Sequence, residues 1–168
     1  MKRSERPHVM MYTDGACTGN PGPGGYGVVL KSGQHRKEIS AGYRQTTNNR
    51  MELMALIAGL EAVKKPCRIT IYTDSQYIAE SINHGWVYQW KKKGWRRSKR
   101  QLAQNHDLWE KLLQLLDDHQ VEVKWVRGHI GELENERADR LAVQASRSST
   151  LLVDEYYENL IAQNQTFV

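Results

Sequence analysis

The spacing of apolar residues changes repeatedly along this chain, and that pattern limits the folds it can adopt. Between residues 9 and 44, short apolar segments follow one another with brief connections, which is typical of antiparallel strands. From about Asn49 to Lys64, apolar residues recur at three- and four-residue spacing, which predicts a helix with one buried face. From residue 68 to residue 146, strand patterns alternate with helix patterns, and this alternation predicts parallel pairing through right-handed crossovers.

The predicted order of elements is three strands, a helix, a strand, helices, a strand and a helix. Strands are predicted at 9–13, 26–32, about 37–44, 68–73 and 121–126, and helices at about 49–64, 76–84, 106–118 and 134–146. Residues 15–25 contain five glycines and two prolines, which predicts a loop between the first two strands. The predicted fold is therefore α/β, with a mixed five-stranded sheet of three antiparallel strands followed by parallel strands, flanked by helices.

Size and composition predict one soluble domain. The chain has 168 residues, of which 39% are hydrophobic, and that is enough to bury a single core. No apolar run reaches the ~18 residues that a membrane-spanning helix needs. The residues Cys17 and Cys67 form neither a metal motif nor a disulfide framework, which favours free thiols and a cytoplasmic location. We expect the domain to cover residues 1–147 and residues 148–168, which show little periodicity, to be a poorly ordered tail.

Basic residues are concentrated in one segment. The net charge of +5 comes from 24 basic and 19 acidic residues, and seven of the basic residues lie within ten positions: Lys91, Lys92, Lys93, Arg96, Arg97, Lys99 and Arg100. A patch of this kind suits a polyanion such as nucleic acid. Three tryptophans occur in or beside it, Trp86, Trp90 and Trp95, and their rings can stack on bases or sugars. A solvated charged face, with at least one tryptophan packed in the core, is the alternative interpretation.

Four acidic residues stand where they could meet at one edge of the predicted sheet. Asp14 and Asp74 end the first and fourth strands, Glu52 lies on the first turn of a helix, and Asp139 lies one turn into the last helix. Ligands gather beyond the carboxyl ends of parallel strands. Clustered carboxylates repel one another, and a hard divalent cation such as Mg²⁺ relieves that repulsion. Two such ions can stabilise the attacking and leaving oxygens of a phosphodiester.

Each acid also has a structural interpretation. Asp14 could hydrogen-bond the turn that follows it, and Asp74 could cap the next helix. Glu52 stands three residues after Asn49, close to the spacing of a capping box. Asp139 could be a solvated charge on a helix face.

Four motifs in this order resemble those of the bacterial ribonuclease HI family. They are TDGACTGNPGPGGYG at Thr13–Gly27, TTNNRMEL at Thr46–Leu53, TDSQY at Thr73–Tyr77 and GHIGELENERAD at Gly128–Asp139. The resemblance runs from about Val9 to Ala145. The loop after His129 departs from the common pattern, because Glu132 and Leu133 stand where many relatives have histidine and proline. The C-terminal residues from Ser148 onward match no motif of the family.

The resemblance implies a role for each matching residue. Asp14, Glu52, Asp74 and Asp139 fall on the metal-binding catalytic acids, and His129 on a loop histidine that helps product leave or relays a proton. Asn20, Asn48 and Gln76 fall on groups that contact the RNA strand in the minor groove, and Thr47 and Asn105 on a pocket for a DNA-strand phosphate. Residues 86–104 resemble a basic handle, in which the expected substrate-binding residues are Trp86, Lys91, Lys92, Lys93, Trp95, Arg96 and Arg97.

The implied function is hydrolysis of the RNA strand of RNA–DNA hybrids. The resemblance implies Mg²⁺ as the cofactor, with Mn²⁺ as a substitute, a hybrid duplex as the partner, and a cytoplasmic monomer with no membrane association. Amide side chains both donate and accept hydrogen bonds, so they suit recognition of a 2′-hydroxyl, which distinguishes RNA from DNA. Two alternatives remain at this point: another nuclease of the same fold, such as a junction resolvase, and a non-catalytic module that binds hybrids.

Overall fold

The five predicted strands form one mixed sheet. The computed structural model describes residues 5–99, 101–127 and 132–165. The strands are β1 (His8–Cys17), β2 (Gly22–Ser32), β3 (His35–Thr46), β4 (Arg68–Thr73) and β5 (Gln120–Trp125), in the spatial order β3-β2-β1-β4-β5. The pairs β1–β2 and β2–β3 are antiparallel, and β1–β4 and β4–β5 are parallel. The predicted fold class is confirmed.

Six helices are present in the described residues. They are α1 (Asn48–Ala62), α2 (Gln76–Asn83), α3 (Trp86–Lys92), α4 (His106–Leu116), α5 (Leu133–Ser146) and α6 (Glu155–Gln165). The side chain of Thr47 caps α1 by accepting a hydrogen bond of 3.2 Å from the backbone N–H of Arg50. Within the described ranges, none of the helices combines the length and the apolar character that crossing a bilayer requires.

Helices cover the two faces of the sheet, because successive strand residues point to opposite sides. Met11 and Val28 belong to the main core, which also contains the apolar face of α1. The next residues along these strands, Tyr12 and Val29, pack instead with Ala138 and Leu141 of α5. The sheet thus holds α1 on one side and α5 on the other.

The segment predicted as a loop at residues 15–25 is mostly strand, so that prediction is wrong. β1 continues to Cys17 and pairs with β2 from Gly24, which leaves residues 18–21 as the connection. The glycines serve packing. A Cβ atom at Gly27 would clash with the carbonyl oxygen of Ala138, and one at Gly25 with that of Ala142. Glycine lets α5 approach the sheet closely.

The segment after Ser148 also differs from the expected poorly ordered tail, since it is folded as far as Gln165. Its backbone pairs with β3, with hydrogen bonds of 2.9 Å from Arg44 N to Leu152 O and 2.8 Å from Leu152 N to Gly42 O. Asp154 is only 3% exposed and accepts a hydrogen bond of 2.8 Å from Thr46 Oγ1. A buried polar anchor has no periodic sequence pattern, so periodicity does not predict that this segment is structured.

Candidate active site

The sheet brings two of the four candidate acids together directly. β1 and β4 are parallel neighbours, and Tyr12 is paired with Tyr72, so Asp14 and Asp74 each lie two residues beyond the same rung of the ladder. Glu52 reaches this edge from the first turns of α1. One carboxylate oxygen from each of Asp14, Glu52 and Asp74 lies within 4.8 Å of the others.

Glu52 is fixed by backbone that folds closely around it. Its side chain is 3% exposed, and Oε1 accepts a hydrogen bond of 3.0 Å from the backbone N–H of Gly15. Glycine is needed there, because a Cβ at Gly15 would lie 2.6 Å from the backbone nitrogen of Glu52. Oε2 is buried and has no hydrogen-bond partner among the described residues. Thr47 caps the helix, so Glu52 does not have the capping role that its spacing allowed.

Asp139 joins the cluster from α5. Its side chain shares a hydrogen bond with that of Asp14, and it is partly buried. Burial raises the pKa of Asp14, and the neighbouring charges of Glu52 and Asp74 raise it further. Burial likewise raises the pKa of Glu52, and the charge of Asp74 adds to that shift. The cluster therefore disfavours four simultaneous negative charges unless a cation is bound.

The turn that carries Asp74 is held by its neighbours. Ser75, not Asp74, caps α2 by accepting a hydrogen bond of 3.2 Å from the backbone N–H of Ile78. The backbone N–H of Ser75 donates to Thr73 Oγ1 at 3.1 Å. The indole N–H of Trp125 donates to the carbonyl oxygen of Asp74 at 3.2 Å. These contacts hold in place the backbone that carries the Asp74 carboxylate.

The candidate RNA-contacting amides lie in two places. Asn20 Oδ1 accepts a hydrogen bond of 2.9 Å from the backbone N–H of Asn48, which joins the β1–β2 turn to the start of α1. Gln76 is exposed on the first turn of α2, where its Nε2 donates to Glu80 Oε1 at 2.8 Å. Asn20 thus lies in the turn that follows β1, the strand of Asp14, and Gln76 lies two residues after Asp74.

Comparison with known proteins identifies the family. The family model described as RNase H matches residues 6–147. The chain belongs to the ribonuclease H family.

Individual relatives agree with this assignment. A protein named ribonuclease H from Rippkaea orientalis is 56% identical over 151 residues, covering 90% of this chain and 93% of its own length. The crystal structure of LC9-RNase H1, described as a type 1 RNase H with the type 2 active-site motif, has a TM-score of 0.77 at 36% identity, covering 94% of this chain and 82% of that one. The structure of LC11-RNase H1 in complex with an RNA/DNA hybrid has a TM-score of 0.58 at 26% identity, covering 82% of this chain and 95% of that one. Enzymes of this family are endonucleolytic hydrolases, so this chain is a nuclease and not a purely binding module.

Two residues expected to hold a DNA-strand phosphate, Thr47 and Asn105, line one cavity of about 320 Å³. Thr47 caps α1, and Asn105 precedes α4 in a left-handed conformation with φ of 62°. The N-termini of both helices therefore border the cavity, which favours an anion. Tyr156 and Tyr157 of α6 line its other side, a contribution that the sequence pattern did not predict.

The basic handle folds around buried tryptophans. Trp95 is 7% exposed and belongs to the main core, so its predicted direct contact with substrate is not supported by its position. Its ring anchors the handle, because a large aromatic side chain gains more from burial than from exposure. Trp90 packs edge-on against Trp109 at 6.2 Å between ring centroids. Trp86 remains 42% exposed and stacks on His84 at 5.2 Å.

The basic side chains of the handle face solvent. They are Lys91, Lys92, Lys93, Arg96 and Arg97, all exposed. Arg100 and His129 lie outside the described residues. Arg96, Arg97 and Lys93 border a second cavity of about 440 Å³ next to Tyr77 and Gln104. Gln104 also lines the cavity of Thr47 and Asn105, so the handle and that cavity meet at residue 104.

Proposed function

We propose that this ribonuclease H hydrolyses the RNA strand of RNA–DNA hybrids at the cluster of Asp14, Glu52, Asp74 and Asp139. The observation that carries the proposal is the convergence of Asp14, Glu52 and Asp74, with Asp139 hydrogen-bonded to Asp14, in a chain of this family. The hybrid bound to the relative LC11-RNase H1 supports the substrate class.

The residues present fit divalent metal ions, and we propose Mg²⁺ as the physiological ion with Mn²⁺ as a substitute. Hard cations prefer oxygen ligands, and all the candidate ligands are carboxylates. The buried Glu52 Oε2 without a described hydrogen-bond partner is the type of atom that a cation would satisfy. When bound, two such ions would stabilise the charge on the attacking and leaving oxygens of the phosphodiester.

We propose that the strands of the hybrid are distinguished on either side of this cluster. Asn20, Asn48 and Gln76 would hydrogen-bond the 2′-hydroxyls and base edges of the RNA strand, since side-chain amides both donate and accept. Thr47 and Asn105 would bind a phosphate of the DNA strand in the cavity between α1 and α4. Their hydroxyl and amide groups, together with backbone N–H groups at the two helix starts, match a phosphate's acceptors.

We assign the handle to duplex binding. Lys91, Lys92, Lys93, Arg96 and Arg97 would hold backbone phosphates, and Trp86 would pack on a sugar or base. His129, which lies outside the described residues, would relay a proton or help release the product. We also propose that the enzyme acts as a cytoplasmic monomer, with residues 1–147 as its catalytic domain and the folded C-terminal segment packed on it.

Cleavage of a labelled hybrid by purified protein tests the proposal directly. In the presence of Mg²⁺ we expect RNA-strand cuts in the hybrid, and no cuts in the matched DNA duplex or in the DNA strand. Asp14→Asn and Glu52→Gln should each abolish cutting, whereas Asp117→Asn, an exposed acid at the end of α4, should leave it unchanged. Cleavage by either catalytic-site variant at the rate of the parent enzyme would contradict the assignment.

A further inference from the structure

The backbone of Asp74 is hydrogen-bonded to β5 through the indole N–H of Trp125. The paired positions of β1 and β4 end at Tyr12 and Tyr72, whereas those of β4 and β5 continue to Thr73 and Trp125. Beyond the β1–β4 ladder, a hydrogen bond of 3.3 Å from Thr13 Oγ1 to the carbonyl oxygen of Tyr72 connects the two strands. The paired positions of the two strands therefore stop two residues before Asp14 and Asp74.

Two hydrogen bonds join the end of β4 to β5 and the residue after it, beyond the point where the β1–β4 ladder stops. The backbone N–H of Val126 donates to Thr73 O at 2.8 Å, and the indole N–H of Trp125 donates to Asp74 O at 3.2 Å. The second bond is made by a side chain that reaches past the end of β4. It restrains the peptide group between Asp74 and Ser75.

Core packing does not account for this tryptophan. Its side chain is 42% exposed, whereas Trp109 is fully buried and Trp95 nearly so. The guanidinium carbon of Arg127 lies over the Trp125 ring, 5.6 Å from the ring centroid. A cation over an indole face is attractive and restricts the ring's rotation. The indole N–H is consequently directed at Asp74 by contacts made outside the core.

We propose that Trp125 is a positioning residue for catalysis, which sets the distance of the Asp74 carboxylate from those of Asp14 and Glu52 through its hydrogen bond to the Asp74 backbone. The inference rests on the proposed role of these acids as metal ligands. Like charges within 4.8 Å repel one another, and the β1–β4 ladder stops two residues short of Asp14 and Asp74. The bond from Trp125 supplies the restraint, so that the ligand geometry exists before the metal arrives.

The variant Trp125→Phe tests this role, because it keeps an aromatic ring and removes the N–H donor. Calorimetric titration of the substrate-free protein with Mn²⁺ should show affinity weakened roughly three- to tenfold, which is the size of one lost hydrogen bond. The turnover number at a fixed Mg²⁺ concentration should fall by a similar factor, and excess Mg²⁺ should restore part of it. KM for the hybrid should change by less than about twofold, since binding contacts are unaffected.

Trp86→Phe is the matched control, since Trp86 is also 42% exposed but lies in the handle. It should raise KM and leave Mn²⁺ affinity unchanged, the opposite pattern to Trp125→Phe. If Trp125→Phe unfolds, 3-benzothienylalanine at position 125 keeps the shape of the indole and lacks only the N–H. Mn²⁺ affinity equal to that of the parent protein in the folded variant would overturn the proposal.

Asp74→Asn separates this inference from the proposed function. If Asp74→Asn is inactive while Trp125→Phe binds Mn²⁺ and turns over normally, only the role of Trp125 is refuted. If Asp74→Asn retains full activity, the assignment of the acids fails first, and the role of Trp125 fails with it.

Discussion

Arg50 and Asp154 form a buried ion pair that joins the start of α1 to the C-terminal segment. Arg50 Nε lies 2.7 Å from Asp154 Oδ2, and Nη2 lies 3.1 Å from Oδ1. The guanidinium also binds both carboxylate oxygens of Asp107 in α4, at 2.9 and 2.8 Å. Burial alone would lower the pKa of Arg50, but its hydrogen bonds with Asp107 and Asp154 outweigh burial and raise it. The guanidinium of Arg50 therefore joins α1 to both α4 and the C-terminal segment.

Asp154→Ala should destabilise the protein by about 3 kcal/mol, because it leaves a buried guanidinium with one of its two carboxylate partners. The side chains of Arg50 and Asp154 are only 1% and 2% exposed, so water cannot replace the lost contact. Urea denaturation measures the change. Glu158→Ala is the control, since it breaks the exposed pair with Arg44 in the same segment and should have a much smaller effect. Equal losses from the two variants would show that burial does not govern this contact.

Asp14→Asn should abolish cleavage while leaving the metal-free protein as stable as the parent or more stable, because repulsion with Glu52 and Asp74 is relieved. The raised pKa values of Asp14 and Glu52 mean that the folded state binds protons more tightly than the unfolded state. The contribution of this cluster to the stability of the metal-free parent should therefore be fully present below the ordinary carboxyl pKa values of 3.8 and 4.5, and should be lost as pH rises above them.

Urea midpoints at about pH 5 and about pH 7.5 check the sign of this dependence. The loss of stability between the two pH values should be smaller in Asp14→Asn than in the parent. Saturating Mg²⁺ should reduce this loss of stability in the parent alone. The expected repulsion would be contradicted if the metal-free parent, compared with Asp14→Asn, gained stability between about pH 5 and about pH 7.5.

Replacing the five exposed basic residues of the handle with alanine should raise KM steeply and flatten its salt dependence, because fewer counterions are released on binding. These residues are Lys91, Lys92, Lys93, Arg96 and Arg97. The turnover number should change much less. Steady-state kinetics over a range of KCl concentrations measures both quantities.

The control for the handle is a set of basic residues at the opposite end of the sheet. Lys37, Lys64 and Lys65 border a separate cavity near the start of β1, and their replacement with alanine should leave the salt slope nearly unchanged. A matched variant with only Lys91, Lys92 and Lys93 replaced removes the same charge. If both triple variants change the slope equally, long-range charge and not contact explains the effect.

His129→Ala should lower the turnover number by roughly one to two orders of magnitude, at the weak end of general acid–base effects. KM should barely move, because the proposed binding residues lie elsewhere. Single-turnover and steady-state rates on the same hybrid would show whether the loss lies in the cut or in product release. Turnover equal to that of the parent enzyme would remove His129 from the reaction.

Several features followed from the sequence by itself. The switch between two-residue and three- to four-residue apolar spacing predicted the sheet and its main helices, because periodicity reflects which face of an element is buried. The position of Asp14 and Asp74 after strand patterns predicted that they would meet, because parallel neighbours end at one edge of the sheet. The motifs carried the family assignment, which the comparisons confirmed.

Other features depended on contacts between residues distant in sequence. The glycine-rich residues 15–25 suggest a loop locally, yet Gly25 is a strand residue against which α5 packs more closely than a Cβ atom would allow. Trp95 looks like a ligand-stacking ring in the basic segment, yet the core buries it. Asp154 lies in a stretch without periodicity and is fixed by Arg50, 104 positions away. Local sequence determines which elements form, whereas burial and ion pairing between distant segments can be decided only when the whole chain is packed.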